Sequence, residues 1–191
     1  GGMLRSDTTW GLTGSPYLVT KSVQIPEGVT LTIEAGVEVQ VQVIEGEPEL
    51  FNVEGILRVN GSQMSPVYLR GQQHLFPRAD IRGSTVGASI EINFAILEGF
   101  DWFYWGPANG NAPTKIEVRD SVFRDISSHS FSGNVRLSIE RSRFENAAGF
   151  HVFGARNTLL FQNNCFVSKN SNNLGEPWFE LDIVPTPELI L

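Results

Sequence analysis

Three segments of this chain share one pattern, and the spacing of that pattern constrains the fold more than any other feature. They are IEVRDSVFRDI at 116–126, LSIERSRFENA at 137–147 and LLFQNNCFVSK at 159–169, offset by 21 and 22 residues. A looser copy, IEINFAILEGF, spans 90–100. Each copy opens with two apolar residues separated by one other residue, which is typical of a strand with one buried face. A strand-forming unit of about 22 residues cannot bury its apolar face alone, so it must stack on its neighbours.

Stacking in register would place matching residues of successive copies on top of one another. Because side chains alternate between the two faces of a strand, the apolar positions would turn inward. The predicted interior columns are Ile116, Leu137 and Leu159; Val118, Ile139 and Phe161; and Phe123, Phe144 and Phe166. The repeat therefore predicts an all-β, single-domain parallel β-helix, a β-solenoid of about seven to eight coils with terminal caps.

The same offsets predict which charged residues are neighbours on the surface. Adjacent strands lie about 4.8 Å apart, so matching side chains can pair. The predicted pairs are Arg119 with Glu140, Asp120 with Arg141, Arg124 with Glu145, and Glu98 with Arg124. Glu91 and Glu117 are like charges on adjacent copies. We interpret these charges as surface ladders that fix the register rather than as catalytic groups.

Composition narrows the classes of partner. The chain has 191 residues, enough for one domain with a sizeable core, and a net charge of −7. The 14 Lys and Arg residues form no cluster, so we expect no nucleic-acid partner. No apolar run approaches about 18 residues, so we expect no membrane span.

Cys165 is the single cysteine. A disulfide within the chain and a thiolate cage for a metal are therefore excluded. The residue stands beside Phe166, with Val122 and Arg143 at the matching positions of the earlier copies. We expect a half-buried thiol without a chemical role, and we expect neither a metal nor a cofactor.

The N-terminal third repeats less regularly. The run SVQIPEGVTLTIEAGVEVQVQV at 22–43 alternates like strands and is broken at 26–28 and at 35–36, where turns are predicted. Asn60-Gly61 predicts another tight bend with a positive φ.

These features resemble a known class of protein. TTW at 8–10 and GSPYLVTKSVQIPEGVTLTIEAGVEVQV at 14–41 resemble the opening of many secreted bacterial right-handed β-helix proteins, and the later copies resemble the repeats of pectate-lyase-like proteins. The resemblance covers roughly residues 8–170. It implies a right-handed coil, which agrees with the handedness rule for parallel crossovers. It also implies a secreted or cell-surface protein, but it does not specify an activity, because this fold carries lyases, hydrolases, tailspikes, adhesins and non-catalytic modules.

The predicted organisation has three parts. Residues 1–20 form an N-terminal cap with Trp10 and Tyr17, residues 21–171 form the coils, and residues 172–191 form a C-terminal cap over the last one. Gly1-Gly2-Met3 is typical of residues added by cloning, so we expect that a native leader has been removed.

The segment EGFDWFYWG at 98–106 is unusually aromatic. Gly106, at the end of this segment, aligns with Gly133 and Gly154 of the next copies. This alignment predicts an exposed stripe of aromatic, hydroxyl and imidazole groups. The stripe consists of Phe103, Trp105, Ser130, Ser132, His151 and Phe153. Such a surface suits sugar rings, whose apolar faces stack and whose rims hydrogen-bond. The alternative is that the extra aromatic residues fill a wide corner or pack under the loop at 106–114.

Catalysis would need a base and a second converging charged group. The candidates are Asp101, Asp125, His129 and His151, and no consecutive copies offer two unpaired acids in one column. His129 aligns with Trp102 and Phe150, and Asp125 aligns with Asn146 and Ser168 at a bend. We therefore predict a non-catalytic extracytoplasmic module that interacts with a polysaccharide or a cell-surface glycan. The alternative is a polysaccharide lyase or a glycoside hydrolase.

Overall fold

The structure is a computed structural model, and it describes residues 1–41, 49–71, 80–83, 87–99, 102–105, 113–126, 129–147, 150–153, 158–167, 179–182 and 188–190. These residues form 23 β-strands and one short 3-10 helix, Leu12–Gly14. The described part of the chain is therefore almost entirely β, as the sequence predicts.

The strands form four sheets, and neighbouring strands pair parallel throughout. The eight-stranded sheet contains β2 (Thr8–Trp10), β5 (Thr30–Glu34), β8 (Ile56–Asn60), β11 (Ser89–Asn93), β14 (Thr114–Arg119), β17 (Val135–Glu140), β20 (Thr158–Gln162) and β23 (Glu188–Ile190). The seven-stranded sheet contains β3 (Tyr17–Val19), β6 (Glu38–Val41), β9 (Val67–Arg70), β12 (Ala95–Glu98), β15 (Val122–Arg124), β18 (Arg143–Glu145) and β21 (Cys165–Val167). One four-stranded sheet contains β1 (Gly2–Met3), β4 (Val23–Ile25), β7 (Glu49–Val53) and β10 (Asp80–Gly83), and the other contains β13 (Trp102–Trp105), β16 (His129–Ser132), β19 (Phe150–Phe153) and β22 (Phe179–Asp182). Each sheet thus takes every third strand of the chain.

The register confirms the predicted alignment of the repeats. In the eight-stranded sheet Ile116 pairs with Leu137, and Leu137 pairs with Leu159. In the seven-stranded sheet Phe123 pairs with Phe144, which pairs with Phe166. The column Val118, Ile139 and Phe161 is in register as well. All of these side chains are buried except Phe166, which is partly exposed.

The phenylalanine column forms a continuous stack of rings in the described core. The rings of Phe123 and Phe144 stack with centroids 4.8 Å apart, and those of Phe144 and Phe166 stack at 5.0 Å. Phe150 meets Phe144 edge-on at 5.2 Å. Stacked and edge-to-face contacts of this kind add about 0.5–1.5 kcal/mol each to the stabilisation from burial.

Buried or partly buried polar side chains connect successive repeats at the bend between the eight-stranded and seven-stranded sheets. Ser121 Oγ accepts a hydrogen bond from the backbone N–H of Ala95 at 3.1 Å. Ser142 Oγ accepts from the N–H of Ser121 at 3.2 Å, and Asn164 Oδ1 accepts from the N–H of Ser142 at 2.9 Å. Each side chain therefore satisfies a backbone donor of the preceding repeat, which would otherwise be costly to bury.

At the same bend, the residue that follows each of β14, β17 and β20 has a left-handed backbone conformation. Asp120, Arg141 and Asn163 have φ of 51°, 47° and 55° at matching positions. The bend that follows the seven-stranded sheet repeats this conformation, with φ of 51° at both Asp125 and Asn146. Asn and Asp tolerate this region better than other residues with a Cβ, which explains most of the choices.

Glycines mark the turns of the N-terminal third. Gly28 and Gly36 have φ of 75° and 78°, which confirms both turns predicted there. The prediction of a positive φ at Asn60-Gly61 is wrong, because neither residue has one. Gly61 is required by close approach instead: a Cβ there would lie 2.0 Å from the carbonyl oxygen of Phe94.

At the N-terminus Trp10 and Tyr17 stack with ring centroids 4.7 Å apart, and both pack against the core. Of the predicted C-terminal cap, the structure describes only β22 and β23, which extend the sheets next to β19 and β20. The rest of residues 172–191 lies outside the described residues.

We predict that Phe144→Ala lowers the free energy of unfolding by about 3–5 kcal/mol, because it removes a fully buried ring that contacts three others. Urea unfolding followed by circular dichroism measures the change. Phe166→Ala is the control and should cost less, because Phe166 is partly exposed. A loss below about 1 kcal/mol for Phe144→Ala would contradict the packing described here.

Candidate ligand-binding surface

The backbone register brings the predicted stripe together. Phe103 of β13 pairs with Ser130 of β16, which pairs with His151 of β19. In the next column Trp105 pairs with Ser132, and Ser132 pairs with Phe153. The six positions therefore form two adjacent columns, two residues apart on each of three strands.

Strand alternation places these positions on one face of their sheet. Phe131 of β16 and Phe150 of β19 are fully buried, and their rings lie 6.2 Å apart. Along β16 Phe131 alternates with Ser130 and Ser132, and along β19 Phe150 precedes His151. His151 is partly exposed.

Strand β22 adds two acidic positions that sequence reasoning missed. Glu180 pairs with His151, and Asp182 pairs with Phe153, so each acid continues one of the two columns. The sequence feature that indicates them is FELD at 179–182, in which apolar and acidic residues alternate. This alternation is hard to recognise in the sequence, because the segment contains no copy of the repeat and belongs to the predicted C-terminal cap.

Among the predicted catalytic candidates, Asp125 follows β15 and His151 lies on β19, whereas Asp101 lies outside the described residues. Asp125 sits at a bend with φ of 51°, and its Oδ1 accepts a hydrogen bond from Asn146 Nδ2 at 2.5 Å. The alignment of Asp125 with Asn146 is thus confirmed, and this carboxylate takes part in turn chemistry. The alignment of His129 with Trp102 and Phe150 is also confirmed at the backbone.

Three of the predicted surface pairs form as ion pairs. Arg119 Nε lies 3.6 Å from Glu140 Oε1, and Arg124 Nε lies 2.6 Å from Glu145 Oε2. Arg141 Nη2 lies 2.7 Å from Asp120 Oδ2. Glu98 is in register with Arg124 as predicted, but it makes no ion pair with any described residue.

The like charges Glu91 and Glu117 are also in register, and cations flank both. Arg58 lies 3.1 Å from Glu91, whereas Lys115 and Arg119 lie 3.0 Å and 3.3 Å from Glu117. These two carboxylates on the outer face of the eight-stranded sheet are thus balanced by neighbouring cations.

The ion pairs hold several carboxylates in their charged form. Hydrogen bonding from Arg141 lowers the pKa of Asp120, and hydrogen bonding from Arg143 and Arg124 lowers the pKa of Glu145. Burial opposes the lowering for Glu117, but its contacts with Lys115 and Arg119 outweigh it, so its pKa also falls. A general acid needs a pKa near the working pH, so these three groups are unsuited to that role.

The prediction of a half-buried Cys165 is wrong, because its side chain is exposed. It occupies the outward position of β21 opposite Arg143, and Arg143 Nη1 lies 3.7 Å from its Sγ. Among the described residues no three His, Cys, Asp or Glu side chains group in a way that could hold a metal ion.

No helix in the described part of the chain is long and apolar enough to cross a membrane.

Comparison with known proteins gave no match to a family model, to a curated protein or to a solved structure.

The lowered pKa values predict how stability changes with pH. The unfolded chain binds protons at Asp120 and Glu145 at a higher pH than the folded chain does, so their contribution is complete above the unfolded pKa, about 4. It is lost as the pH falls through the lower folded values. Asp120→Asn, which keeps the shape and tolerates the left-handed backbone, should therefore flatten the dependence of the urea midpoint on pH between about 6 and 3.

The matched control is Glu27→Gln, which changes the charge at an exposed turn where no described residue makes an ion pair with Glu27. It should leave the pH dependence close to that of the parent chain. An equal flattening in both variants would show that Arg141 does not act on Asp120 in solution.

Proposed function

We propose that the chain is a right-handed parallel β-helix of the pectate-lyase-like type. Two observations support this architecture. Every third strand enters the same parallel sheet, and the matching positions of β14, β17 and β20 are 21 and 22 residues apart. A chain that visits three sheet positions in turn and returns after one repeat follows the path of a solenoid.

The proposed function is non-catalytic binding of a polysaccharide or cell-surface glycan through the stripe. The observation that carries it is the register of β13, β16 and β19, which puts Phe103 beside Ser130 and Trp105 beside Ser132. Aromatic faces next to small hydroxyl groups match the alternating apolar faces and hydroxyl rims of sugars. The protein would act outside the cytoplasm, secreted or at a cell surface, as the resemblance of its repeats implies.

Binding without cleavage is favoured by the charges of the described surface. Glu91, Glu117 and Glu140 each lie within 4 Å of a cation, and Asp125 belongs to a turn. A sugar stacked on one aromatic ring gains only about 1 kcal/mol beyond the burial of its area, so the affinity for a monosaccharide should be weak.

We predict that Trp105→Ala abolishes glycan binding while the chain stays folded. Isothermal titration against a panel of oligosaccharides up to millimolar concentration measures the binding, and circular dichroism checks the fold. Tyr68→Ala is the matched control, because it removes a partly exposed aromatic ring from the seven-stranded sheet, away from the stripe.

Two outcomes would contradict this proposal. Unchanged binding by Trp105→Ala would place the glycan elsewhere. If the parent chain bound no glycan at millimolar concentration, the aromatic residues would be structural and a protein partner would become the better hypothesis.

A second candidate function is glycoside hydrolysis, or lyase chemistry on the same type of substrate. It is favoured by Glu180 and Asp182, which continue the two columns beyond His151 and Phe153. Positions two apart on a strand share a face and lie about 7 Å from each other. Inverting glycoside hydrolases hold their two carboxyl groups about 6.5–9.5 Å apart.

Product analysis separates the two candidates. Release of reducing ends or unsaturated sugars by the parent chain, lost in both Glu180→Gln and Asp182→Asn, would establish the enzyme. Binding to a polysaccharide that remains intact after prolonged incubation would support the non-catalytic module.

A further inference from the structure

The outer face of the seven-stranded sheet carries two columns of side chains across β9, β12, β15 and β18. The first column is Tyr68, Ile96, Val122 and Arg143, and the second is Arg70, Glu98, Arg124 and Glu145. The residues that alternate with them, such as Leu97 and Phe123, are buried, so both columns face solvent. The first column is apolar at its centre, and the second alternates in charge, positive and negative, along four strands.

Glu98 lies at the centre of the charged column without a cation of its own. Its neighbours in register are Arg70 and Arg124. Arg70 instead lies 3.2 Å from Glu38, and Arg124 lies 2.6 Å from Glu145. Glu98 makes no ion pair with a described residue, although it stands between two arginines.

We infer that this face, formed by β9, β12, β15 and β18, is a contact surface for a second copy of the chain. The argument is that the face is complementary to itself. A two-fold axis that runs parallel to the strands, between β12 and β15, reverses the strand order in the second copy. Strand β12 then lies over β15 of the other copy, and β9 lies over β18.

Under this operation each charge of the second column meets its opposite. Glu98 faces Arg124 of the second copy, and Arg124 faces Glu98 in return. Arg70 faces Glu145 in the same way. An alternating column with an even number of charges has this property, and the symmetry produces every contact twice.

The first column is complementary as well. Ile96 faces Val122 of the second copy, so the partly exposed apolar centre is covered. Tyr68 faces Arg143, and an arginine over a tyrosine ring is a favourable contact. Within one chain Tyr68 already receives such a contact from Arg70, whose Cζ lies 5.4 Å from the ring centroid.

The outer face of the eight-stranded sheet is not complementary to itself at its centre. The same operation between β11 and β14 would bring Glu91 over Glu117 of the second copy, because these two residues are in register. Like charges placed face to face across an interface are strongly unfavourable. The self-complementary pattern therefore distinguishes the face of the seven-stranded sheet.

The size of the face limits the strength of the contact. Four strands spaced about 4.8 Å apart, over a width of about 15 Å, cover on the order of 300 Å² per copy. A standard stable interface buries about 800 Å² per partner. We therefore expect a weak dimer that forms at high micromolar concentration and dissociates as salt is added.

Charge reversal with mixing tests this inference directly. Analytical ultracentrifugation of the chain from about 10 μM to 1 mM should show a monomer that becomes a dimer. Glu98→Arg alone and Arg124→Glu alone should each weaken self-association at least about tenfold, because each brings like charges together twice. An equimolar mixture of the two variants should associate again, since both contacts between different chains then join opposite charges.

Arg136→Glu is the matched control, because it reverses an exposed charge on β17 of the eight-stranded sheet and should leave the dimer unchanged. Circular dichroism of each variant confirms that it is folded. A parent chain that stays monomeric at 1 mM would overturn the inference. A mixture that fails to associate, or a control as disruptive as the two variants, would overturn it as well.

Discussion

The structure depends on parallel strands that stack with the same residue always above its counterpart. A repeat of 21 or 22 residues keeps this register only if each bend turns the chain through the same angle. The left-handed residues Asp120 and Arg141 set that angle, and the Oγ atoms of Ser121 and Ser142 fasten each bend to the one before. Because the bends are identical, the phenylalanine column forms without any further adjustment.

The same register determines the chemistry of the surface. Residues that face solvent are stacked as regularly as those in the core, so the residue at the matching position of the next repeat decides what each charge meets. Along β14 and β17 this produces the pair between Arg119 and Glu140. Around Glu98 it leaves a carboxylate between two arginines that bond elsewhere. Stacking therefore explains both the neutralised carboxylates and the position of Glu98, to which we assign an intermolecular contact.

The parts of the fold that repeat could be predicted from the sequence. A nearly constant offset between copies determines the strand register, and the alternation along each strand determines which side chains point toward the core. The columns through Phe144 and the backbone alignment of Phe103 with Ser130 follow from that rule. The parts that do not repeat could not be predicted in this way. Glu180 lies in a segment without a recognisable copy, and Gly61 is required by a close backbone approach that no local pattern reveals.

The register itself can be measured with the single natural cysteine. Arg143 and Cys165 are in register on adjacent strands, where Cα atoms lie about 4.8 Å apart, within the range of about 4.4–6.8 Å that a disulfide spans. Arg143→Cys, oxidised at low protein concentration, should lose both free thiols and keep the mass of a monomer. Val122→Cys stands one strand further away, about 10 Å from Cys165, and should keep both thiols. Two free thiols in oxidised Arg143→Cys, or an equally complete bridge in Val122→Cys, would contradict the stacking on which this account depends.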